Sequence, residues 1–241
     1  MKVQKKVKKR NSFFLITCLF LTTFLNLNIF KKVNYQDISI SGSKLFSIDD
    51  IIDNSSLDLP TPLIFVKTKY NEKEIKKNLT LENISISRQV LPFGLKILIK
   101  TRTPIAYGEK FLKGQKIKGF IDQDGFFINE KFSDKENIKN LSSKVFGWKE
   151  EFRETLSKIL NSQKNYDIEL LTIEFSPNGF LTLEEESIKT ILLGIDPKII
   201  ETQLQIISDI KNQLKGRNIL DKIDKIDLTD PKDPKIKVFK S

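Results

Sequence analysis

The residue types that most often carry catalysis or bind metals are scarce in this chain. It has 241 residues, no histidine and one cysteine. Without histidine there is no Ser-His-Asp or Cys-His nucleophile and no imidazole ligand for a metal. The single cysteine, Cys18, excludes an intramolecular disulfide and a cysteine-rich zinc or iron–sulfur site. The composition therefore indicates a binding protein, without a cofactor or a metal, and not an enzyme.

Carboxylates are the remaining candidates for acid–base chemistry or for holding a cation. Asp122 and Asp124 precede Gly125, which is typical of turn-forming aspartates. Glu184, Glu185 and Glu186 lie at the predicted end of one strand. Asp227 lies near the end of another predicted strand, and Asp230 and Asp233 lie in the turn predicted after it. Nothing in their spacing makes them converge, so we predict no catalytic and no metal-binding residue. A secreted hydrolase with two facing carboxylates stays an alternative that a structure can test.

Most of the net charge of +10 lies at the N-terminus. Residues 1–10 contain five lysines, one arginine and no acidic residue, whereas residues 11–30 are uncharged. The predominantly apolar segment 13–30 would reach about 27 Å as a helix, close to the roughly 30 Å of a bilayer core. We therefore predict a basic cytoplasmic arm at residues 1–12 and a single transmembrane helix at residues 13–30.

Two alternatives to a membrane anchor are a buried core helix and a cleaved signal peptide. Apolar residues cover every face of segment 13–30, and it exceeds the roughly 7–15 apolar residues of a signal peptide. Six basic residues precede it, against Lys31 and Lys32 just after it. The positive-inside rule then places the N-terminus in the cytoplasm and the rest outside the cytoplasmic (inner) membrane. A nucleic-acid-binding arm is the other possible use of this charge.

Residues 34–105 are predicted to form a small α+β domain. Alternating apolar residues indicate strands, and a Ser cap followed three residues later by Asp indicates the start of a helix. The predicted order is a strand at 35–41, a helix from Ser47, a brief apolar run at 63–66, a helix at 71–79, and strands at 84–90 and 95–100.

Residues 106–241 are predicted to form a second domain, a mixed or antiparallel β-sheet with helices. Asp124-Gly125 and Asn178-Gly179 mark hairpin turns, and residues 131–144 are predicted to be a loop. The predicted helices are 149–160 and 196–214, and the predicted strands lie within 119–128 and at 168–175, 180–184, 189–195, 222–228 and 235–240.

This organisation resembles the bacterial cell-division family FtsQ/DivIB, whose first exported domain is a POTRA domain. The matching segments are Ile38–Gly42, Arg88–Ile97, Thr101–Ala106, Ile121–Phe126 and Ile226–Pro231. In the family the third segment usually begins with Glu-Arg-x-Pro-x-Ala, and Thr101 replaces its acidic residue here. The resemblance marks Gly42, Arg102 and Pro104 as structural residues of the POTRA motif. Arg102 could pair with a local carboxylate or bind a partner protein.

The resemblance implies a non-catalytic bitopic membrane scaffold of the divisome, with no nucleic acid and no small-molecule substrate among its ligands. It implies that the second domain binds FtsB-like and, through them, FtsL-like proteins on the extracytoplasmic side, and that the POTRA domain helps recruitment. Carried onto this sequence, the partner surface is formed by the last two strands, at Ile226, Leu228, Ile236, Val238 and Phe239. An export or outer-membrane assembly factor with a POTRA domain is the alternative.

Overall fold

The computed structural model describes residues 13–23, 29–133, 138–214 and 222–239. The chain divides into two compact units, residues 1–101 and residues 102–241. The boundary predicted from the sequence followed residue 105, four residues further along the chain. Each unit has its own sheet and its own buried core, and the two are described separately below.

The N-terminal apolar segment is helical over residues 13–23, here named α1. Residues 24–28 of the predicted span, and the predicted basic arm at 1–12, lie outside the described residues. At about 1.5 Å per residue, α1 reaches roughly 16 Å. Within the described ranges, no helix is long and apolar enough to cross a membrane. The eighteen-residue span predicted from the sequence is therefore not present as one described helix.

The first unit has the α+β order that the sequence predicts. Its elements are β1 (Lys32–Val33), β2 (Ile38–Ser41), α2 (Ile48–Asp53), β3 (Thr61–Pro62), α3 (Thr68–Asn78), β4 (Asn83–Val90) and β5 (Phe93–Lys100). Among its described residues, β2, β5 and β4 form the small sheet, in which the central β5 runs parallel to β2 and antiparallel to β4. Strand β1 pairs antiparallel with β3.

Local sequence accounts for these elements. The N–H of Asp50 donates to the hydroxyl of Ser47 and the Asp50 carboxylate accepts the N–H of Ser47, so a capping box begins α2. In β4, Ile84 and Ile86 face the core while the alternate serines face solvent. Apolar residues of α2, α3 and β5 complete this core, namely Ile51, Ile75, Leu95, Ile97 and Ile99.

The second unit contains the large sheet, with two helices packed against it. Its elements are β6 (Ala106–Leu112), β7 (Gln115–Ile121), β8 (Phe127–Asn129), β9 (Lys144–Phe146), α4 (Arg153–Tyr166), β10 (Leu170–Phe175), β11 (Phe180–Glu185), β12 (Thr190–Gly194), α5 (Ile200–Leu214), β13 (Ile223–Leu228) and β14 (Lys235–Val238). Among the described residues the strand order is β14-β13-β12-β11-β10-β9-β6-β7-β8, with parallel pairs at β6/β9, β9/β10 and β12/β13. The sheet is mixed, as predicted.

One core joins this sheet to α4 and α5. Leu156 and Ile159 of α4 and Leu204 and Ile207 of α5 are buried among alternate side chains of β10, β11, β12 and β13. Strand β9 was missed by the sequence analysis, which predicted a loop up to residue 144. It lies between β6 and β10, and its Val145 is fully buried. This short strand is therefore what connects the two halves of the sheet.

Candidate functional site

The last strand, β14, forms one edge of the large sheet. It pairs antiparallel with β13, and no other described strand lies beside it. All four of its residues are exposed. Ile236, Val238 and the following Phe239 are 48%, 52% and 42% exposed. An edge with unpaired backbone groups and exposed apolar side chains is able to bind a further strand.

The two faces of β14 differ in chemistry. Ile236 lies opposite Ile226, and Val238 lies opposite Ile223, both of which are buried in the core. Ile236 and Val238 therefore continue the apolar face of the sheet past the part that the helices cover. Lys235 and Lys237 alternate with them and lie on the other face.

The structure divides the five predicted partner-binding residues into two sets. Ile226 and Leu228 are fully buried, so their side chains belong to the core of the second unit. Ile236, Val238 and Phe239 are exposed together along the edge. We name these three residues the edge surface. Strand alternation alone could not separate the two sets, because burial of β13 depends on the helix that packs over it.

Phe239 is held beside β14 by the backbone. Its N–H donates to the carbonyl of Lys222 at 2.9 Å, which extends the antiparallel pairing by one residue. The ammonium of Lys189 lies 4.7 Å from the centroid of its ring. This cation–π contact and the backbone hydrogen bond hold Phe239 at the end of β14.

Charges on β14 are compensated by nearby carboxylates. Lys237 lies 3.3 Å from Asp224 and Lys235 lies 3.4 Å from Asp233. Exposed pairs of this kind contribute little to stability. Lysines on an edge strand do, however, disfavour indiscriminate pairing with other strands. Ile236 and Val238 therefore form the uncharged face of this edge strand.

Arg102 pairs with local carboxylates. Its guanidinium donates to Asp122 at 2.5 Å and to Asp124 at 3.2 Å, and the side chains of Arg102 and Asp122 are almost completely buried. It also lies 3.6 Å from the ring centroid of Phe126. All three partners are in the second unit, so Arg102 is structurally part of that unit and not of the unit that its sequence motif closes.

Burial raises the pKa of Asp122, although hydrogen bonds from Arg102 and from the N–H of Phe126 oppose this change. The indole N–H of Trp148 donates to the carbonyl of Gly125 in the same turn. Asp122 and Asp124 share one arginine and hold a turn, and they do not face each other across an open cleft. These two aspartates therefore do not supply the facing carboxylates that the hydrolase alternative requires.

The surroundings of Gly42 and Pro104 indicate structural roles for both residues. Gly42 has a φ of +91°, and a Cβ at this position would lie 2.2 Å from the carbonyl oxygen of Ile99. Only glycine meets both conditions, because a side chain is strained at positive φ and has no space here. Pro104 is buried between Arg102 and Ala106, where the chain enters β6.

The other carboxylate groups are also accounted for by local contacts. Glu185 is buried, pairs with Lys211 and accepts the N–H groups of Ser187 and Ile188. Asp227 accepts both the hydroxyl and the N–H of Thr229, and these hydrogen bonds lower its pKa. In the ranges that the structure describes, no group of acidic or cysteine side chains could hold a metal ion.

An aromatic groove beside β9 was not predicted from the sequence. It has a volume of about 330 Å³, and its lining includes Phe111, Phe146, Trp148 and Phe175. Two of these residues flank or belong to β9, so the groove could not be predicted while this segment was assigned to a loop. Acidic and basic side chains, Glu109, Lys116, Lys149 and Glu174, line the same groove.

Comparison with known proteins identifies the first unit. Residues 33–102 match the family described as "POTRA domain, FtsQ-type". The chain is also similar to the cell division protein DivIB of Clostridium acetobutylicum, with 28% identity over 114 residues, 46% of this chain. The match covers 41% of the length of that relative. Both comparisons confirm the resemblance to FtsQ/DivIB proteins that the sequence motifs indicate.

Proposed function

We propose that this chain, which carries an FtsQ-type POTRA domain, is a non-catalytic scaffold of bacterial cell division that binds partner proteins through its second unit. The observation that carries the proposal is the edge surface, Ile236, Val238 and Phe239, on an edge strand that has no described strand on its outer side. The similarity to a cell division protein supports the cellular process. FtsB-like and FtsL-like division proteins are the proposed partners.

The physical basis of the proposed binding is β-augmentation. A partner segment in an extended conformation would add a strand beside β14, and main-chain hydrogen bonds would supply much of its affinity. Its apolar side chains would lie against Ile236 and Val238 and would extend the core beyond Ile223 and Ile226. The selectivity of this site would then come from the apolar face, since the charges on the other face are compensated within the chain.

We further propose that segment 13–30 anchors the chain in the cytoplasmic membrane, with the basic arm inside and both units outside. Support comes from the exposed apolar side chains of α1, such as Phe13, Phe14 and Leu19. The hydroxyls of Thr17, Thr22 and Thr23 donate to carbonyls one turn earlier in α1, which satisfies them without water.

Deletion of residues 235–241 tests the proposed binding edge. We expect the shortened chain to stay in the membrane fraction and to lose capture of the FtsB-like protein of the same organism. The measurement is co-purification from membranes, with bound division proteins identified by mass spectrometry. Removal of β14 takes away both the edge backbone and the edge surface.

A pair of substitutions separates binding from folding. Ile236→Lys with Val238→Lys places charge on the apolar face and should abolish capture. Lys235→Ser with Lys237→Ser changes the opposite face of the same strand and should leave capture unchanged. Normal capture by the deletion, or equal loss in the two double variants, would contradict the assignment of the edge surface.

A further inference from the structure

The end of the first unit nearest the predicted membrane exit carries exposed apolar side chains. Phe30 is the last residue of the proposed anchor, and β1 begins at Lys32. Strand β1 pairs with β3, and the N–H of Leu63 donates to the carbonyl of Lys31 at 3.1 Å. The residues after β3 are therefore hydrogen-bonded to the segment that directly follows the proposed anchor, where the chain would leave the bilayer.

Two of those residues expose large apolar side chains. Ile64 and Phe65 are 40% and 66% exposed in the short turn between β3 and α3. Neighbouring Leu63 and Val66 are buried, so the backbone of the turn is fixed by the core while Ile64 and Phe65 are directed outward. Exposure of an adjacent Ile-Phe pair to water is unfavourable in free energy, and contact with a lipid surface would remove this penalty.

A second loop lies at the same end. Leu91, in the turn between β4 and β5, is 73% exposed. The guanidinium of Arg88 donates to the carbonyl of Val66 at 2.6 Å, which links the end of β4 to the Ile64–Phe65 turn. The ammonium of Lys31 lies 4.6 Å from the ring centroid of Phe93, which links the start of β5 to the same exit point.

Basic side chains surround these apolar residues. Lys31, Lys32 and Lys67 are exposed and flank β1 and the Ile64–Phe65 turn. The nearest acidic residues in the sequence are Asp37, whose carboxylate accepts the N–H of Asn34, Asp58, and Glu72, which pairs with Lys69 and accepts the N–H of Ile86. Lysines around exposed apolar residues fit a surface of anionic headgroups over an apolar interior.

We propose that Ile64, Phe65 and Leu91, here named the apolar rim, rest in the headgroup region of the bilayer, with Lys31, Lys32 and Lys67 against anionic lipid. The rim fixes the first unit on the membrane surface, so that the unit is held at two points and not by its N-terminal segment alone. The inference rests on the proposed membrane anchor, and it goes beyond that anchor by assigning a lipid contact to the POTRA domain.

The test uses the full chain in vesicles that contain neutral and anionic lipids. Cys18→Ser removes the native thiol, and Phe65→Cys provides a site for an environment-sensitive fluorophore. Leu98→Cys is the matched control, because Leu98 is 52% exposed in the same unit. It lies five residues beyond Phe93 in β5, roughly 17 Å along the strand.

A quencher attached near the headgroup of the lipid should quench the Phe65→Cys probe about threefold more strongly than the Leu98→Cys probe. A probe placed by Leu91→Cys should behave like the one at residue 65. In vesicles of neutral lipid alone, this difference should shrink. Equal quenching in the two lipid compositions would overturn the role of the lysines, and equal quenching of residues 65 and 98 would overturn the proposal.

Flotation of the vesicles in alkaline carbonate separates this inference from the anchor on which it rests. A chain that does not float with the vesicles disproves the anchor. A chain that floats, with a residue-65 probe that is no better quenched than the control, disproves the lipid contact alone. A blue-shifted residue-65 probe that lipid does not quench would place a protein on the apolar rim and would also overturn the proposal.

Discussion

The two edge strands of the large sheet differ in how far their side chains are buried. Strand β8 buries Phe127 and Ile128, each 5% exposed, and the ring of Phe127 lies 5.5 Å from that of Trp148. Strand β14 exposes all four of its residues, and Ile236 and Val238 project from the sheet without cover from any described element. Both strands are short and both end the same sheet, so length and position do not distinguish them.

The difference shows which edge strand is packed into the core and which has exposed apolar side chains. Packing of its side chains against β7 and Trp148 buries the apolar residues of β8, so this edge strand contributes to the core. The β14 edge contributes little to the core and is left with unpaired backbone groups. The contrast predicts that substitutions at β8 reduce stability, whereas substitutions at β14 reduce binding.

The largest expected effect is that of Phe127→Ala. Loss of this buried ring should lower the free energy of unfolding of the second unit by about 3–5 kcal/mol. Phe239→Ala is the matched control at the other edge and should change it by less than about 0.5 kcal/mol. Denaturant unfolding followed by circular dichroism measures both. A similar loss in the two variants would mean that the β14 edge is as tightly packed as β8.

An intermediate effect is expected for Gly119→Ala, which tests how closely β8 packs on β7. A Cβ at Gly119 would lie 2.4 Å from the carbonyl oxygen of Ile128 and 2.6 Å from a ring atom of Phe127. The added methyl group should lower the free energy of unfolding by about 3 kcal/mol because it forces these strands apart.

Gly114→Ala is the control in the turn between β6 and β7. A Cβ at Gly114 meets no atom within 4 Å, and the remaining cost is that of its φ of +79°, about 1 kcal/mol. The same denaturant experiment compares the two variants. If Gly119→Ala is no more destabilising than Gly114→Ala, the close packing of β8 on β7 is disproved.

The smallest effect concerns two aspartates, Asp122 and Asp227, that lie next to the turns leading to the two edge strands. Burial raises the pKa of Asp122 above 3.8, and hydrogen bonds from Thr229 lower the pKa of Asp227 below 3.8. As pH falls, protonation of Asp122 therefore favours the folded state, an effect that is complete below 3.8. The contribution of Asp227 is present above 3.8 and is lost as pH falls through its lowered pKa.

Carbon NMR titration of the two side-chain carboxyl groups should show Asp122 titrating at the higher pH. Asp122→Asn and Asp227→Asn assign the signals. Thr229→Val removes the hydroxyl that has the largest influence on Asp227 and should bring its pKa closer to 3.8. The reverse order of titration, or a common midpoint, would contradict the different surroundings of the two aspartates.

Much of the local structure was predictable because it is encoded by neighbours in the chain. The capping box at Ser47 and Asp50 begins α2 as expected. The hairpin of β10 and β11 forms around Asn178-Gly179, where Gly179 has a φ of +82°. Such signals depend on backbone preferences and on hydrogen bonds within a few residues.

The parts that could not be predicted depend on distant residues. Strand β9 has three residues and one buried side chain, Val145, so it shows no alternation that would indicate a strand. Its pairing with β6 and β10 is what makes it a strand. Arg102 likewise has several aspartates within reach in principle, and only the folded turn at Asp122 selects its partner.

The sequence by itself determined that this chain lacks histidine and has one cysteine, that its N-terminal charge is followed by an apolar segment, and that an α+β unit precedes a β-rich unit. Only the tertiary structure decided which edge strand of the large sheet has buried apolar side chains and which has exposed ones. It also decided that Ile226 and Leu228 are core residues while Ile236 and Val238 are exposed. Alternation sets which side chains share a face, but burial depends on which distant helix or strand covers that face.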